Sequence, residues 1–271
     1  MNIEKKFLQP EDEPRNAAYH YKNAIMEPVE NSKIFNSYIK NINFKKEFTG
    51  TLWAEGPCYI PNKDILIWSD IPNNRMMKLE NNKVTEYRNP SNYCNGNTTD
   101  NEGNLISCSH GGRCLYKTDY YDKLSIIVEQ FEDNKFNSPN DVCVKSDGTI
   151  WFTDASLRYN YDDSIYSFIE NRSTGRLLSF NPNLKKTNIH LEGLYFANGV
   201  AIAPDDEFVL VNETGDSSIR RYWLKGPKKG TNDYFIRGLP GYPDNISFDD
   251  NGIFWVAFAP ACRPQPAMVL S

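Results

Sequence analysis

Three observations in the sequence predict an all-β protein with the architecture of a β-propeller. First, five residues with a side-chain oxygen each stand 10 or 11 positions before a short apolar run. They are Glu55, Asn95, Asn140, Asn198 and Asp244. Second, the runs begin at Leu66, Leu105, Ile150, Phe208 and Phe254, so they are 39, 45, 58 and 46 residues apart. Third, a turn with Asp, Asn or Gly precedes each run. A strand-rich repeat of about 40–50 residues is typical of propeller blades.

Length and composition agree with this architecture and argue against several partners. A chain of 271 residues can bury one large core, and 16 Gly, 16 Pro and 13% aromatic residues suit short strands and tight turns. The net charge of −5 without a basic stripe argues against nucleic acid. No apolar run is long enough for a transmembrane helix, so no membrane partner is expected. The polar start, Met1 to Lys6, lacks a secretion signal, and we expect a cytoplasmic protein.

The repeat divides the chain into an N-terminal extension, 1–45, and a propeller domain, 46–271. The extension is polar, with a possible short helix at 16–27 and an outer strand. Strands predicted in repeats one and two are Ile65–Ser69, Arg75–Leu79, Leu105–Ser109, Arg113–Lys117 and Leu124–Glu129. Those predicted in repeats three to five are Ile150–Asp154, Gly175–Phe180, Phe208–Asn212, Ser218–Trp223, Tyr234–Arg237 and Phe254–Phe258. Repeat three carries the longest insertion, around 159–172. We expect each apolar run to be the innermost strand of its blade, because that strand is the most buried.

Recurring oxygen donors at one register position predict a cation site. Blades surround a channel, so one position in each blade points to the common axis. Carboxylate and amide oxygens gathered on an axis are the ligands of a hard cation such as calcium. None of the six cysteines forms a Cys-x-x-Cys pair, and we expect all six to be structural. The three histidines are too scattered for a multi-histidine metal site.

Short motifs in this register resemble those of a known lactonase family. The motifs are Glu55-Gly56-Pro57, Asn95-Gly96-Asn97-Thr98, His110-Gly111-Gly112-Arg113, Asn137-Ser138-Pro139-Asn140-Asp141 and Trp151-Phe152-Thr153-Asp154. They resemble the SMP-30/gluconolactonase family, which includes regucalcin. The C-terminal stretches from Arg221 to Pro227 and from Gly241 to Ile246 are more similar to strictosidine synthase and paraoxonase. Each motif alone is weak, but their order and register together are specific.

The resemblance implies a six-bladed propeller of four-stranded blades with one divalent metal at the channel mouth. That metal is usually calcium, sometimes zinc, and manganese or magnesium could replace it. The implied ligands are Glu55, Asn140, Asn198 and Asp244, together with Asn245 in the paraoxonase-like pattern. Little chain remains after Phe254 for a sixth blade, so we expect the last blade to be incomplete. If that leaves the ring open, exposed strand edges would favour an oligomer.

Further residues are candidates for catalysis or substrate binding. Asp244 could also act as the general base on a metal-bound water. Asn95 matches a family position that faces the pocket, although turn chemistry explains Asn-Gly-Asn equally well. His110 is a candidate proton shuttle or oxyanion donor, and Arg113 offers a fork for a hydroxyl-rich substrate. For Asp70 and Asp154, which end apolar strands, we favour a structural role.

These residues predict an enzyme, a metal-dependent lactonase that opens a small-molecule lactone, most simply a sugar lactone. The metal would polarise the carbonyl and activated water would attack it. Two alternatives stay open. A phosphotriesterase or arylesterase could use the same metal, because a cation polarises P=O as readily as C=O. A propeller can also be a metal-binding platform without catalysis.

Overall fold

The computed structural model describes residues 47–159, 163–249, 252–259 and 268–270, and these form antiparallel sheets. The first sheet contains β1 (Ala54–Ile60), β2 (Ile65–Asp70), β3 (Arg75–Glu80) and β4 (Lys83–Arg88). The second contains β5 (Cys94–Thr99), β6 (Leu105–Ser109), β7 (Cys114–Thr118) and β8 (Leu124–Val128). A short hairpin follows, β9 (Gln130–Phe131) and β10 (Asn134–Lys135).

The remaining sheets repeat the same up-and-down order. The third contains β11 (Pro139–Val144), β12 (Ile150–Asp154), β13 (Gly175–Asn181) and β14 (Lys186–Leu194). The fourth contains β15 (Ala197–Ile202), β16 (Phe208–Glu213), β17 (Ser218–Trp223) and β18 (Asn232–Arg237). The fifth contains β19 (Tyr242–Phe248), β20 (Phe254–Ala259) and β21 (Met268–Leu270). A short helix, α1 (Ser164–Glu170), occupies the insertion between β12 and β13.

The sheets follow one another like the blades of a propeller. The first strands of successive sheets lie side by side in the order β1, β5, β11, β15 and β19. The described part of the chain therefore supplies five successive sheets of this kind, and within it no extended contact joins β19 to β1. The six-bladed count implied by the resemblance stays a prediction.

The core lies between neighbouring blades. Each of four apolar clusters takes its side chains from two successive sheets. Between the second and third sheets, for example, Leu115 packs in one cluster with Phe136 and Phe152. The five described cysteines are free thiols, and four of them are buried. Burial of Cys58, Cys94, Cys108 and Cys114 agrees with the expected structural role, Cys143 is partly buried, and Cys262 lies outside the described residues.

The predicted strands are confirmed, but one assignment is wrong. The apolar runs form the second strand of each sheet, and the innermost strand is the segment that carries the oxygen-bearing residue. These segments escaped notice because Gly, Asn and Pro have low strand propensity. The polar outer strands β4 and β14 were also missed.

The turns that separate the strands follow their predicted chemistry. Gly103, Gly148 and Gly252 have φ values of 82°, 84° and 88° in the turns before β6, β12 and β20. Glycine adopts this left-handed conformation without steric cost. The extension 1–45 lies outside the described residues. No helix among the described residues is long and apolar enough to cross a membrane.

Candidate active site at the blade axis

The five oxygen-bearing residues occupy one equivalent place in the fold. Each innermost strand breaks its pairing register with the second strand near the same point; four axial residues stand within that break, and Glu55 is the last paired residue before it. The breaks fall between Glu55 and Cys58, Cys94 and Asn97, Pro139 and Val142, Ala197 and Val200, and Pro243 and Ile246. Such bulges bend a strand and re-aim a side chain, often beside a functional site. The recurrence read from the sequence thus corresponds to a recurring bulge.

Glycines after three axial residues let neighbouring innermost strands approach closely. A Cβ on Gly56 would lie 2.3 Å from the carbonyl oxygen of Asn95. A Cβ on Gly96 would lie 2.7 Å from the Asn140 carbonyl oxygen, and one on Gly199 would lie 2.5 Å from that of Asp244. No side chain fits at these distances, so the glycines allow the axial residues of successive blades to crowd around one axis.

Hydrogen bonds between blades hold the backbone of three axial residues. Ser69 Oγ donates to the Asn95 carbonyl, Thr153 Oγ1 to the Asn198 carbonyl and Asn212 Nδ2 to the Asp244 carbonyl, each at 2.7 Å. All three donors are the penultimate residues of second strands. The second strand of one blade therefore positions the axial residue of the next. Sequence reasoning missed these donors, although the pairs Ser69-Asp70, Thr153-Asp154 and Asn212-Glu213 recur at one register position.

The carboxylates that end these strands are structural. Asp70, Asp154 and Glu213 are fully buried and pair with Arg75, Arg176 and Arg220 at 2.9, 2.6 and 2.9 Å. Each also accepts hydrogen bonds from backbone N–H groups of the loop that leads into its innermost strand. The structural reading of Asp70 and Asp154 is thereby supported. Glu213 was missed, because acidic residues at strand ends are common in any sequence.

Three carboxyl groups share the axial region. Burial, followed by the charges of Asp244 and Asp141, raises the pKa of Glu55 well above its ordinary value, against a hydrogen bond from Trp53. Burial raises the pKa of Asp244 to about 6, against a hydrogen bond from Asn198. Burial also raises the pKa of Asp141 to about 7, with a further contribution from Asp244. Because the charges of Asp244 and Asp141 act on Glu55, and that of Asp244 acts on Asp141, these groups lie in one region of the fold.

Asp141 is the axial residue that sequence reasoning missed. It directly follows Asn140 in the bulge of β11, at a position where three other blades carry glycine. One of its oxygens accepts a hydrogen bond from the Val200 N–H of the next blade at 3.0 Å. In the sequence, an aspartate at a register position that carries glycine in three other repeats was the signal that could have identified this residue.

The two axial asparagines proposed as ligands are buried beside these carboxyls. Asn140 and Asn198 are 5% and 6% exposed. Asn198 Nδ2 donates to Thr214 Oγ1 at 3.1 Å, which leaves its amide oxygen available as a ligand. Asn245 is partly buried, and its backbone lies against Gly199.

His110 joins the axial region, whereas Arg113 is directed elsewhere. His110 is buried, and its Nε2 lies 3.0 Å from Nδ2 of Asn95. Burial lowers the pKa of His110 to about 4, so the imidazole is neutral near pH 7. Arg113 is exposed, and its Nε donates to the Phe136 carbonyl at 2.7 Å. This bond ties the guanidinium to the loop before β11, and a role of Arg113 in substrate binding stays a prediction.

The axial residues fit a hard cation. Among the described residues, no three His, Cys, Asp or Glu side chains are arranged to hold a metal by themselves. The causes of the raised carboxyl pKa values include no lysine or arginine. Asn95 Oδ1 is buried without a hydrogen-bond partner. Buried negative charge without a basic counter-charge, mixed with amide oxygens, matches the donor set of calcium. The residues that would hold it are Glu55, Asn140, Asn198 and Asp244.

Comparison with known proteins agrees with the motifs. Residues 53–263 match the family model described as SMP-30/Gluconolactonase/LRE-like region. Over 135 residues the chain is 38% identical to protein strictosidine synthase-like 6 of Arabidopsis thaliana, covering 50% of this chain and 36% of that protein. It is 40% identical to the adipocyte plasma membrane-associated protein of Gallus gallus over 136 residues, covering 50% and 32%. The chain thus spans about a third of the length of these curated relatives.

A solved structure extends the likeness to the fold. A gluconolactonase from Xanthomonas campestris superposes with a TM-score of 0.66 at 25% identity, covering 76% of this chain and 70% of that one. The family model covers most of the described strands, and the superposed structure shares their arrangement in successive antiparallel sheets. The chain therefore belongs to the SMP-30/gluconolactonase/LRE-like family.

Proposed function

We propose that the protein is a divalent-metal-dependent lactonase that hydrolyses the cyclic ester bond of a small lactone. The observation that carries this proposal is the cluster of axial oxygens, in which Glu55, Asp141 and Asp244 have raised pKa values and no lysine or arginine is among the causes. Family membership and the gluconolactonase neighbour support the same reaction class. Calcium is the proposed ion, with zinc, manganese or magnesium as substitutes.

The ligands of the proposed metal are Glu55, Asn140, Asn198 and Asp244, with Asn245 beside Asp244. A bound divalent cation supplies Lewis acidity toward a carbonyl oxygen and lowers the pKa of water. The protein holds the proposed ligands in place. Side-chain donors on the second strands and the bulges fix the backbone of the axial residues, and Trp53 Nε1 donates to Glu55 Oε1 at 2.9 Å. Rigid support of this kind keeps the donors in place when charge develops on the substrate.

Asp244 is the proposed general base. A carboxylate at the proposed cation can orient the attacking water and accept its proton. In the proposed reaction, the oxygen of water bonds to the lactone carbonyl carbon while Asp244 takes a proton. The ring C–O bond then breaks, and the proton passes to the leaving alkoxide, which gives the open hydroxy acid. Neutral His110 holds Asn95 at 3.0 Å and orients its amide at the site.

The test is hydrolysis of glucono-lactone by protein treated with a chelator and then supplied with calcium, zinc, manganese or magnesium in turn. We expect activity to disappear and to return with one or more of the ions. Asp244→Asn should then lower kcat by about a thousandfold at saturating metal, because base catalysis contributes about 10²–10⁴-fold. Asp64→Asn, on an exposed turn outside the axial region, is the matched control. Undiminished turnover by Asp244→Asn would refute the assigned base.

The same assays separate the rival functions. A phosphotriester and an aryl ester are offered beside the lactone under identical metal loading. Faster hydrolysis of either would reassign the reaction on the same site. Tight metal binding without hydrolysis of any ester would mark a structural cation in a binding protein.

A further inference from the structure

Aromatic residues recur at a second register position, two residues before the axial oxygen. The residues at this position are Trp53, Tyr93, Ser138, Phe196 and Tyr242. Four of the five are aromatic, although the flanking sequences differ from blade to blade. We call Trp53, Tyr93, Phe196 and Tyr242 the aromatic collar.

The collar lies beside the candidate active site. Trp53 Nε1 donates directly to the axial carboxylate of Glu55 at 2.9 Å. The Tyr93 ring lies against Gly111, next to His110, because a Cβ on that glycine would be 2.9 Å from Tyr93 Cδ2. Tyr242 opens β19, the strand that carries Asp244.

Two collar residues are held in a conformation that aromatic residues rarely adopt. Tyr93 and Phe196 have left-handed backbones, with φ values of 52° and 57°. Their carbonyls accept hydrogen bonds from His110 N at 3.0 Å and Thr214 N at 3.2 Å, which fix the conformation. Such residues carry about 1–3 kcal/mol of strain and cluster at ligand-binding sites. Packing of the core does not require it here, because neither ring belongs to an apolar cluster.

The collar presents apolar surface to solvent at the site. Trp53 is 44% exposed and Tyr242 is 48% exposed. The insertion between β12 and β13 enlarges this surface, since Phe168 of α1 packs on Phe196 with ring centroids 4.4 Å apart. Ser138, the non-aromatic residue at this register position, donates its Oγ–H to the Ser156 carbonyl and is thereby engaged with the protein.

We propose that the aromatic collar binds an apolar group of the substrate, so that the preferred lactone carries an alkyl or aryl substituent and not a polyol chain. The inference rests on the proposed lactonase function for the reaction itself, and the collar supplies only the specificity. Aromatic rings bring a large apolar contact area to a site, and each methylene of the substrate that leaves water adds to affinity.

The first test measures binding without chemistry or metal. Protein treated with a chelator is titrated with cyclohexanone and with a pentyl-substituted cyclohexanone, which mimic a six-membered lactone and resist hydrolysis. We expect the pentyl compound to bind at least about tenfold more tightly, as apolar pockets discriminate by about 10–200-fold per small apolar group. Tyr242→Ser should remove most of this difference. Tyr121→Ser, which removes an exposed ring from the β7–β8 turn at the far end of its blade, should leave it unchanged.

The second test uses three six-membered lactones: glucono-lactone, δ-valerolactone and δ-decalactone. We expect kcat/KM to be highest for δ-decalactone, and Tyr242→Ser to lower it about tenfold through KM while δ-valerolactone is nearly unaffected. Trp53→Phe keeps a ring but loses the bond to Glu55, so it should retain the ranking of the three substrates.

The outcomes separate the two proposals. Preference for glucono-lactone, or an equal effect of Tyr242→Ser on all three lactones, would overturn the collar inference and leave the lactonase function standing. A protein that hydrolyses no lactone could still bind the pentyl compound selectively and lose this selectivity in Tyr242→Ser. That result would overturn the lactonase function and leave the collar as an apolar binding site. Equal binding of both ketones would overturn the collar directly.

Discussion

At the scale of single residues, burial sets the protonation state of the polar groups. The same desolvation that raises the pKa of the axial carboxyls lowers the pKa of His190 to about 4. His190 stacks on Trp151 with ring centroids 4.2 Å apart, and its Nε2 lies 2.8 Å from Ser179 Oγ. Both contacts suit a neutral imidazole in the outer part of the third blade. Protonation there would place a charge in an apolar contact.

This arrangement predicts a pH dependence of stability. The pKa of His190 is lower in the folded chain than in the unfolded one, so its contribution is present above about pH 6.5 and is lost as the pH falls toward about 4. We expect His190→Gln to reduce the loss of unfolding free energy between about pH 7 and pH 4 by about 1–2 kcal/mol, after allowance for partial exposure. Urea unfolding of both proteins at the two pH values measures it.

The test compares how much the free energy of unfolding changes between the two pH values in the wild type and in the variant. The axial carboxyls, whose raised pKa values act in the opposite direction, are present in both proteins, so their contribution cancels. His110, also with a pKa lowered to about 4, remains in both. An identical pH dependence in wild type and variant would contradict the buried neutral state of His190.

At the scale of elements, the second strand of three of the blades is the part that positions the site. Its penultimate residue holds the axial carbonyl of the next blade, and its last residue holds the loop before its own innermost strand. In the third blade these are Thr153 and Asp154. The device recurs in the first and fourth blades, where Ser69-Asp70 and Asn212-Glu213 occupy the same register position. In the second blade Cys108-Ser109 stand there, and Ser109 Oγ bonds the Asn92 carbonyl instead.

Removing one of these carboxylates should be costly. Asp154→Ala leaves Arg176, which is 6% exposed, without its partner and orphans the N–H groups of Asn137 and Ser138. We expect the free energy of unfolding to fall by about 3–5 kcal/mol, as for other broken buried pairs. The exposed pair of Glu129 and Lys135 is the matched control, and Glu129→Ala should cost less than about 1 kcal/mol. Urea denaturation measures both, and similar losses for the two variants would disprove the difference.

At the scale of the whole molecule, the proposed cation would join separate blades. Its proposed ligands come from the innermost strands of the first, third, fourth and fifth sheets, which otherwise meet only through neighbouring contacts. A ligand that binds only the folded state stabilises the whole fold in proportion to its occupancy. Metal binding should therefore be visible in the global unfolding transition as well as in activity.

Calcium at about a hundred times its Kd should add about 2.7 kcal/mol to the free energy of unfolding. For a chain of this size that corresponds to a rise in Tm of about 5–10 °C. Thermal unfolding followed by circular dichroism, with and without a chelator, measures the shift. The rise should vanish in Glu55→Gln together with Asp244→Asn, whereas the Asp64→Asn control should keep it. A Tm that calcium, zinc, manganese and magnesium all leave unchanged would contradict a cation at the axis.

The sequence by itself determined the repeat, the strands with apolar periodicity, the turns and the register of the axial residues. These features are local: strand alternation and turn chemistry are properties of a few consecutive residues. Because one register position is occupied by oxygen donors in all five repeats, Glu55, Asn140, Asn198 and Asp244 could be grouped without a structure. The motifs around them were sufficient to indicate the family.

Only the tertiary structure decided which strand is innermost and what surrounds the axial residues. The segment of Asn and Gly residues around Asn95 has little intrinsic tendency to be a strand, and it becomes one because β6 pairs with it and Ser69 of the neighbouring blade donates to the Asn95 carbonyl. Asp141, Glu213 and the aromatic collar likewise acquire their roles from partners far away in the chain. Contacts between blades depend on how neighbouring sheets pack, so they cannot be predicted from the sequence repeat within one blade.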